Sequence, residues 1–446
     1  MSLYAVTDPR TLEELQSYPT AADWQIEAAI DGAHTAYRNW GRSTGTAERA
    51  ALLLEVARLY TERADELART VGLEMGKDFD QALAEVHFSA AIYQYYAASA
   101  EAFLADEHIE PYAGGGTAVI RRSALGALLG IMPWNFPHYQ VARFAAPNLA
   151  AGNTIVLKHA PQCPASAAAI QRIFQDAGFP TGAYVNVYAT DDQVARIIAD
   201  PRVQGVSLTG SERAGSAVAE IAGRHLKKVV LELGGSDPFI VLDTADMAAT
   251  IEAALIGRLG NNGQACNAAK RIIVADHLYD DFAAGFTAAM LGAGSLPLAS
   301  VEAAERLDRQ VADAVAGGAR LASAGERDGA FFPCSVLTEV DPRSAAHREE
   351  FFGPVAMLFR ARDEDHAVEI ANDTPFGLGA YVFSSDAQQA ARVADRIEAG
   401  MVFVNSAGAV GVELPFGGIK RSGFGRELGR LGINEFVNRK LIRTVG

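Results

Sequence analysis

The chain has 446 residues, of which 49% are hydrophobic and 21% charged. That is the composition of an ordinary soluble protein, at a length that calls for two or three domains. A net charge of −15, from 39 basic and 54 acidic side chains, argues against nucleic acid and anionic membranes as partners. Three cysteines without framework spacing, an N-terminus unlike a signal peptide, and a longest apolar run (124–132) that is too short for a bilayer lead to the expectation of a cytoplasmic protein.

The first hundred residues read as helical. Thr46 caps a helix in which Leu53, Val56, Ala57, Tyr60, Ala64 and Leu67 share one face, and a second, alanine-rich helix covers 81–105. TAVIRR and GALLGIM then read as strands. From about 150 to 242, the strands TIVLK, YVNVY, VQGVSL and VVLEL alternate with helical segments, the signature of a parallel sheet with helical crossovers. A second such stretch runs from about 245 to 405, with RIIVA, VAMLF and MVFVN as its clearest strands. RKLIRTV, near the end of the chain, is a strand that needs a partner elsewhere. The expected class is α/β: two parallel-sheet domains plus a small β element made from 117–122 and the C-terminus.

Several stretches carry chemistry. Neither a complete GxGxxG nor a P-loop occurs. A strand does end at Leu208, however, and Thr209, Gly210 and Ser211 turn into a helix whose free amides make a pyrophosphate seat, or else only a serine-capped turn. Glu232, between leucines at a strand end, is partly desolvated, which raises its pKa toward that of a general base; the alternative is a salt-bridged sheet-edge glutamate. Asn135 is held between Pro133 and Pro137. Its amide either donates to a developing oxyanion, where one such donor is worth about 2.7–4 kcal/mol, or organises its own turn. Arg143 sits in a helix of small apolar residues and needs an anionic partner, a structural carboxylate or a substrate. Cys266 follows NNGQA, a turn whose amides can steady a thiolate; the alternative is a buried structural thiol, the reading kept for Cys163 and Cys334. Glu349, Glu350 and Phe352 precede a strand, and a glycine-rich loop surrounds Lys420 and Arg426.

Taken together, IMPWNFP, GNTIVLK, SLTGSERAG, LELGGSDPF, NNGQAC, EEFFGPV and PFGGIKRSGFGREL stand in one order along the chain. In this it resembles the aldehyde dehydrogenase superfamily from about residue 20 onward, and bacterial succinate-semialdehyde dehydrogenases most, through LKHAP and the arginine of QVAR. The resemblance implies oxidation of an aldehyde to the acid with NAD or NADP and no metal. Cys266 is the nucleophile, Asn135 and the Cys266 amide hold the oxyanion, and Glu232 activates the hydrolytic water. The cofactor lies along Met132, Pro133, Trp134, Lys158, Gly210 and Ser211, with Glu350 on the nicotinamide ribose and Phe352 by the ring. Arg143 and Tyr139 take the substrate. Residues 1–108 and 125–234 form the dinucleotide-binding domain and 235–424 the catalytic domain. Residues 109–124 and 432–446 supply oligomerisation strands for a homodimer or homotetramer.

Four departures from the pattern qualify it. Pro161 replaces a glutamate that grips the adenosine-ribose hydroxyls in many NAD-preferring relatives, so NADP is expected to be tolerated, with His159 nearby as possible help. Val410 and Gly260 stand where semialdehyde relatives place a serine and a second arginine. The anion pocket is thus half built; either His138 and Tyr139 complete it, or the substrate is another acidic or polar aldehyde, with an aliphatic or aromatic one as the wider alternative. The segment near 292–300 is short, without clear consequence for the chemistry. Two other readings remain at this point: a CoA-acylating dehydrogenase, against which Glu232 speaks, and a non-catalytic dinucleotide-binding protein, against which the intact cysteine, asparagine and glutamate speak.

Overall fold

Two largely parallel sheets meet where the strand Lys228–Glu232 ends and the strand Asp237–Val241 begins. The computed structural model describes residues 4–408 and 410–445. The first sheet runs in the order Gly423–Phe424, Lys228–Glu232, Val203–Thr209, Ala127–Met132, Thr154–His159, Tyr184–Asn186. The second runs Arg320–Ser323, Ser335–Thr338, Val355–Ala361, Ala269–Ala275, Asp237–Val241, Gly379–Phe383, Met401–Val404. Only Gly423–Phe424 and Arg320–Ser323 are antiparallel to their neighbours. Every residue of Thr154–His159, Asp237–Val241, Ala269–Ala275 and Gly379–Phe383 is buried, as strands covered on both faces by helices must be.

The helix Tyr139–Ala151 is buried along almost its whole length. It packs between the first sheet and the helices Thr46–Glu62 and Phe79–Leu104, with Leu53, Tyr60, Tyr93, Phe144 and Phe174 in one cluster. That burial fixes where Arg143 and Tyr139 point. The C-terminal strand Val437–Thr444 finds its partner in Thr117–Ala124, from Val437 opposite Ala124 to Thr444 opposite Thr117, and Glu107–Ile109 adds a third strand. Among the described residues no helix is long and apolar enough to cross a membrane.

The N-terminal reading needs three corrections. Residues Tyr4–Thr7 and Glu14–Tyr18 form an antiparallel pair. The first of these is anchored from outside its own sequence, by Tyr4 Oη donating to the Ala189 carbonyl at 2.8 Å and Ala5 N to that of Pro161 at 3.1 Å. Gly45, not Thr46, is the N-cap, and no side chain caps that helix. The face from Leu53 to Leu67 belongs to two helices, Thr46–Glu62 and Ala64–Met75, broken at Arg63; all six of its residues are buried even so. A bend that keeps the apolar stripe continuous leaves no mark on the periodicity.

Candidate active site

The turn that carries Cys266 is built from left-handed backbone. The helix Met247–Leu259 runs into Gly260–Gly263, where Asn261 (φ 56°), Asn262 (φ 57°) and Gly263 (φ 75°) are all left-handed. Asparagine and glycine tolerate this best. At Gly263 a side chain is also excluded by space, because a Cβ there would lie 2.6 Å from the Gly353 carbonyl.

Hydrogen bonds lace this turn to the loop bearing Asn135. Asn261 Nδ2 donates to the carbonyls of Asn135 (2.8 Å) and Gln264 (3.1 Å), and Asn135 Nδ2 donates to Gln264 O at 3.0 Å. Lys77 Nζ, fully buried, donates to Asn135 O at 3.0 Å and pairs with Glu85. Glu85 in turn accepts from the amides of His138 (2.9 Å) and Tyr139 (3.2 Å). A carboxylate from one helix thus satisfies free donors at the start of another. Above these loops lies a cavity of about 480 Å³, on whose wall Cys266, Arg143, Tyr139, Lys77, Val410 and Phe416 appear together.

Cys266 reaches this cavity with a suppressed thiolate. Burial pushes the thiol up to about 12; Glu350 and Asp237 add to the rise, while Arg143 and Lys270 oppose it. The sequence pointed to turn amides that can steady a thiolate; burial, the largest cause acting on this thiol, pushes the other way. Glu232 behaves as its strand-end position suggested, held well above the ordinary carboxylate range by burial and by Glu427. Neither of its oxygens has a hydrogen-bond partner among the described residues, and a Cβ on Gly417 would lie 2.7 Å from Oε1. Arg143 and Arg426 offset part of this rise and Glu435 adds to it.

Arg143 has a partner within the chain. Its Nε lies 2.7 Å from Glu427 Oε2, Nη2 donates to Gln140 Oε1, and Nη1 donates to the Tyr139 hydroxyl at 3.4 Å. The guanidinium also stands over the rings of Phe416 and Tyr139, 4.1 and 4.7 Å from their centroids. The two histidines considered as helpers are placed elsewhere. His138 is buried against Tyr60 Oη and burial lowers it to about 3; His159 is tied to the Pro137 carbonyl and the Ala160 amide, and burial lowers it to about 4. Both are neutral at ordinary pH and offer no charge to a substrate or a phosphate. Gly260 leaves open space beside the cavity.

The carboxyl ends of three adjacent parallel strands gather Met132 and Pro133, Lys158, and Gly210 with Ser211. Ser211 caps the helix Glu212–Arg224 by accepting from Ala214 N at 3.3 Å, and a Cβ on Gly215 would lie 2.6 Å from Leu233, so only glycine lets the helix lie this close to the sheet. Lys158 is nine-tenths buried, with no ion pair among the described residues. Such an ammonium and the helix amides fit a phosphate-bearing dinucleotide. Trp134 and Phe352 meet edge to face at 5.7 Å. Glu350 folds against the glycine pair, accepting from Gly235 N at 3.2 Å, with Lys270 Nζ at 3.3 Å.

Sequence reasoning missed Lys77, Glu85, Lys270 and Glu427. Glu85 did leave a signal, since it falls among Ala82, Val86, Ser89 and Ala90 on the buried face of an alanine-rich helix, where an unpaired carboxylate is not tolerated. Glu427, in a glycine-rich loop, left none.

This fold, with a cysteine turn laced to an asparagine loop beside a nucleotide cleft, matches the aldehyde dehydrogenase family over residues 2–442. The chain belongs to that family, and its reaction is the oxidation of an aldehyde. It is 50% identical to a Deinococcus radiodurans protein named succinate-semialdehyde dehydrogenase [NADP(+)], over 99% of this chain and 94% of the relative. A Mycobacterium avium protein of the same name is 44% identical over 98% and 96%. The crystal structure of succinic semialdehyde dehydrogenase from Streptococcus pyogenes in complex with NADP+ superposes with a TM-score of 0.96 at 38% identity, covering 99% of this chain and all of that one.

Proposed function

We propose that this chain oxidises succinate semialdehyde to succinate with NADP or NAD as hydride acceptor, and that Cys266 is its nucleophile. The observation that carries the reading is a single cavity lined by both Cys266 and Arg143. A thiol and a cation in one chamber suit an aldehyde with a distal carboxylate.

The roles follow from the chemistry of each group. The Cys266 thiolate adds to the carbonyl carbon, and the carbonyl electron pair becomes an oxyanion steadied by the free N–H of Asn135 Nδ2 and the Cys266 amide. That oxyanion expels hydride, leaving an acyl group on sulfur; the nicotinamide, when bound, supplies the hydride acceptor. Glu232 takes a proton from the water that attacks the thioester, and the acid departs as the thiol re-forms. Lys158, Gly210 and Ser211 hold the dinucleotide phosphates and ribose, Met132, Pro133 and Trp134 line its cleft, and Glu350 and Phe352 meet its nicotinamide end. Arg143 and Tyr139 meet the substrate carboxylate. Residues 1–108 with 125–234 form the cofactor domain and 235–424 the catalytic domain. The strands within 109–124 and 432–446 form the contact of a homodimer or homotetramer, a role suited to the exposed outer edge of Val437–Thr444.

The test is reduced-cofactor formation with NADP and with NAD, over succinate semialdehyde, glutarate semialdehyde, an aliphatic and an aromatic aldehyde. Preference for the acidic aldehydes, lost in Cys266→Ala, is the expected result. Preference for neutral aldehydes overturns the substrate assignment, and activity retained by Cys266→Ala overturns the nucleophile.

A further inference from the structure

A lysine lies directly beneath the nucleophile turn. Lys270, on the strand Ala269–Ala275, is fully buried, and its Nζ donates to the carbonyls of Ala265 and Cys266 at 2.8 Å each. Its remaining direction meets Glu350 Oε1 at 3.3 Å, and the Phe352 ring lies 5.9 Å away. The rest of its surroundings are the carboxylate of Asp237 and the guanidinium of Arg258. An ammonium withdrawn from water is costly unless it is well paired, and an uncharged side chain of the same length would fill this space without that cost. Its hydrogen bonds go to the carbonyls of the nucleophile and of the residue before it, and its ion pair to the carboxylate assigned to the nicotinamide ribose.

We propose that Lys270 is a positioning residue for the nucleophile: its ammonium pins the carbonyls of Ala265 and Cys266 and supplies positive charge that favours the Cys266 thiolate, while Glu350 is the counter-charge that limits this effect. The proposal rests on the reading of Cys266 as the nucleophile.

The groups facing Cys266 make the sign of each substitution definite. Arg143 on the helix Tyr139–Ala151 and Lys270 on its strand are cations; Glu350, ahead of the strand Val355–Ala361, and Asp237 on the strand Asp237–Val241 are carboxylates. The phenols of Tyr139 and Tyr381 complete the ring, the latter donating to Asn267 O at 2.8 Å. Cations lower the sulfur and carboxylates raise it. With burial holding the thiol up to about 12, only a small thiolate fraction exists at neutral pH, so the reaction rate of the sulfur follows each change of nearby charge.

The experiment is alkylation of the full-length protein by iodoacetamide at fixed, mildly alkaline pH, with the Cys266 peptide followed by mass spectrometry. Lys270→Met is expected to slow alkylation about three- to tenfold, the lower thiolate fraction being partly offset by greater intrinsic nucleophilicity. Glu350→Gln is expected to speed it by a similar factor, and Lys270→Arg to stay near the parent rate because the charge is kept. Equal slowing in Lys270→Met and Lys270→Arg overturns the charge role, and so does an unchanged rate in Glu350→Gln. Should Lys270→Met fail to fold, Glu350→Gln decides alone. Failure of the nucleophile reading is recognised separately, by aldehyde oxidation surviving in Cys266→Ala, since alkylation reports on the sulfur whether or not aldehyde is turned over.

Discussion

Arg143 Nε lies 2.7 Å from Glu427 Oε2, with both side chains buried. The cation on the cavity wall is therefore already paired, and a substrate carboxylate must share it. Two consequences of removing it can be separated. Arg143→Ala is expected to raise KM for succinate semialdehyde about tenfold or more, about 1.4 kcal/mol of binding, while sparing neutral aldehydes. It also leaves Glu427 buried without its partner, at a cost of about 3–5 kcal/mol in stability. The double variant Arg143→Ala/Glu427→Gln recovers most of the stability and none of the KM. Steady-state kinetics and thermal melts of the parent and both variants check this. An equal loss for acidic and neutral aldehydes returns Arg143 to a purely structural role.

The same pair shows where reading from sequence stops. That Arg143 needs an anion follows from a guanidinium among small apolar residues. That the anion is Glu427, 284 positions later by 427 − 143, follows only from the fold, because the Gly423–Phe424 strand returns to the first sheet beside Glu232. The alternating strands between 150 and 242 were legible because each buried run is bounded by turn residues. The strands Asp237–Val241 and Gly379–Phe383 carry no alternation to betray them, being buried on both faces. Cys266 was legible as an unusual cysteine from its polar neighbours, yet the sign of its perturbation was not, because desolvation depends on what packs over the turn.

Glu232 stands at a strand end with its carboxylate held above the ordinary range by burial and Glu427. A base must lose its proton before it acts, so activity rises with pH through that elevated value. The acid limb of kcat is expected well above the ordinary carboxylate value of 4.5. Glu232→Gln should still release one equivalent of reduced cofactor in a burst and then stall at the thioester, losing about 100-fold or more in steady-state rate. A rapid-quench measurement without a burst places the defect before hydride loss and removes Glu232 from the hydrolytic step.

Lys77 and Glu85 form a buried pair whose side chains also reach the Asn135 carbonyl and the amides of His138 and Tyr139. Glu85→Ala strands an ammonium and withdraws the acceptor from the amides of His138 and Tyr139. We expect a stability loss of about 3–5 kcal/mol and a fall in kcat larger than any loss of dinucleotide affinity, since the contacts released fall at Asn135, His138 and Tyr139 and Lys158 is untouched. Denaturant unfolding and cofactor titration check the two halves. Weakened cofactor binding without a fall in kcat contradicts the assignment.

Pro161, three residues after Lys158, offers no carboxylate to a cofactor held by that lysine. Introducing one restores repulsion toward a 2′-phosphate. Pro161→Glu is expected to lower the ratio of kcat/KM for NADP over NAD by about tenfold or more, a like-charge penalty of over about 1.4 kcal/mol. An unchanged ratio shows that the cofactor's 2′-position lies beyond reach of this residue.

Asp237 lies buried near Cys266 and Lys270, with the Gly379 backbone amide against its carboxylate. Burial, the largest cause, and Glu350 raise it from 3.8 to about 7, against the pull of Lys270. Below 3.8 the group is protonated in both folded and unfolded chains and costs nothing. As pH rises toward about 7, the unfolded chain releases its proton while the folded chain keeps it, so stability from this group declines across that window and is constant above it. Asp237→Asn cannot ionise and escapes the decline. The melting temperature of the variant relative to the parent should therefore climb from about pH 4 to about pH 7 and then level off. A difference that does not vary with pH shows that Asp237 ionises in the folded protein as readily as in water, and that the Lys270 ammonium compensates its burial in full.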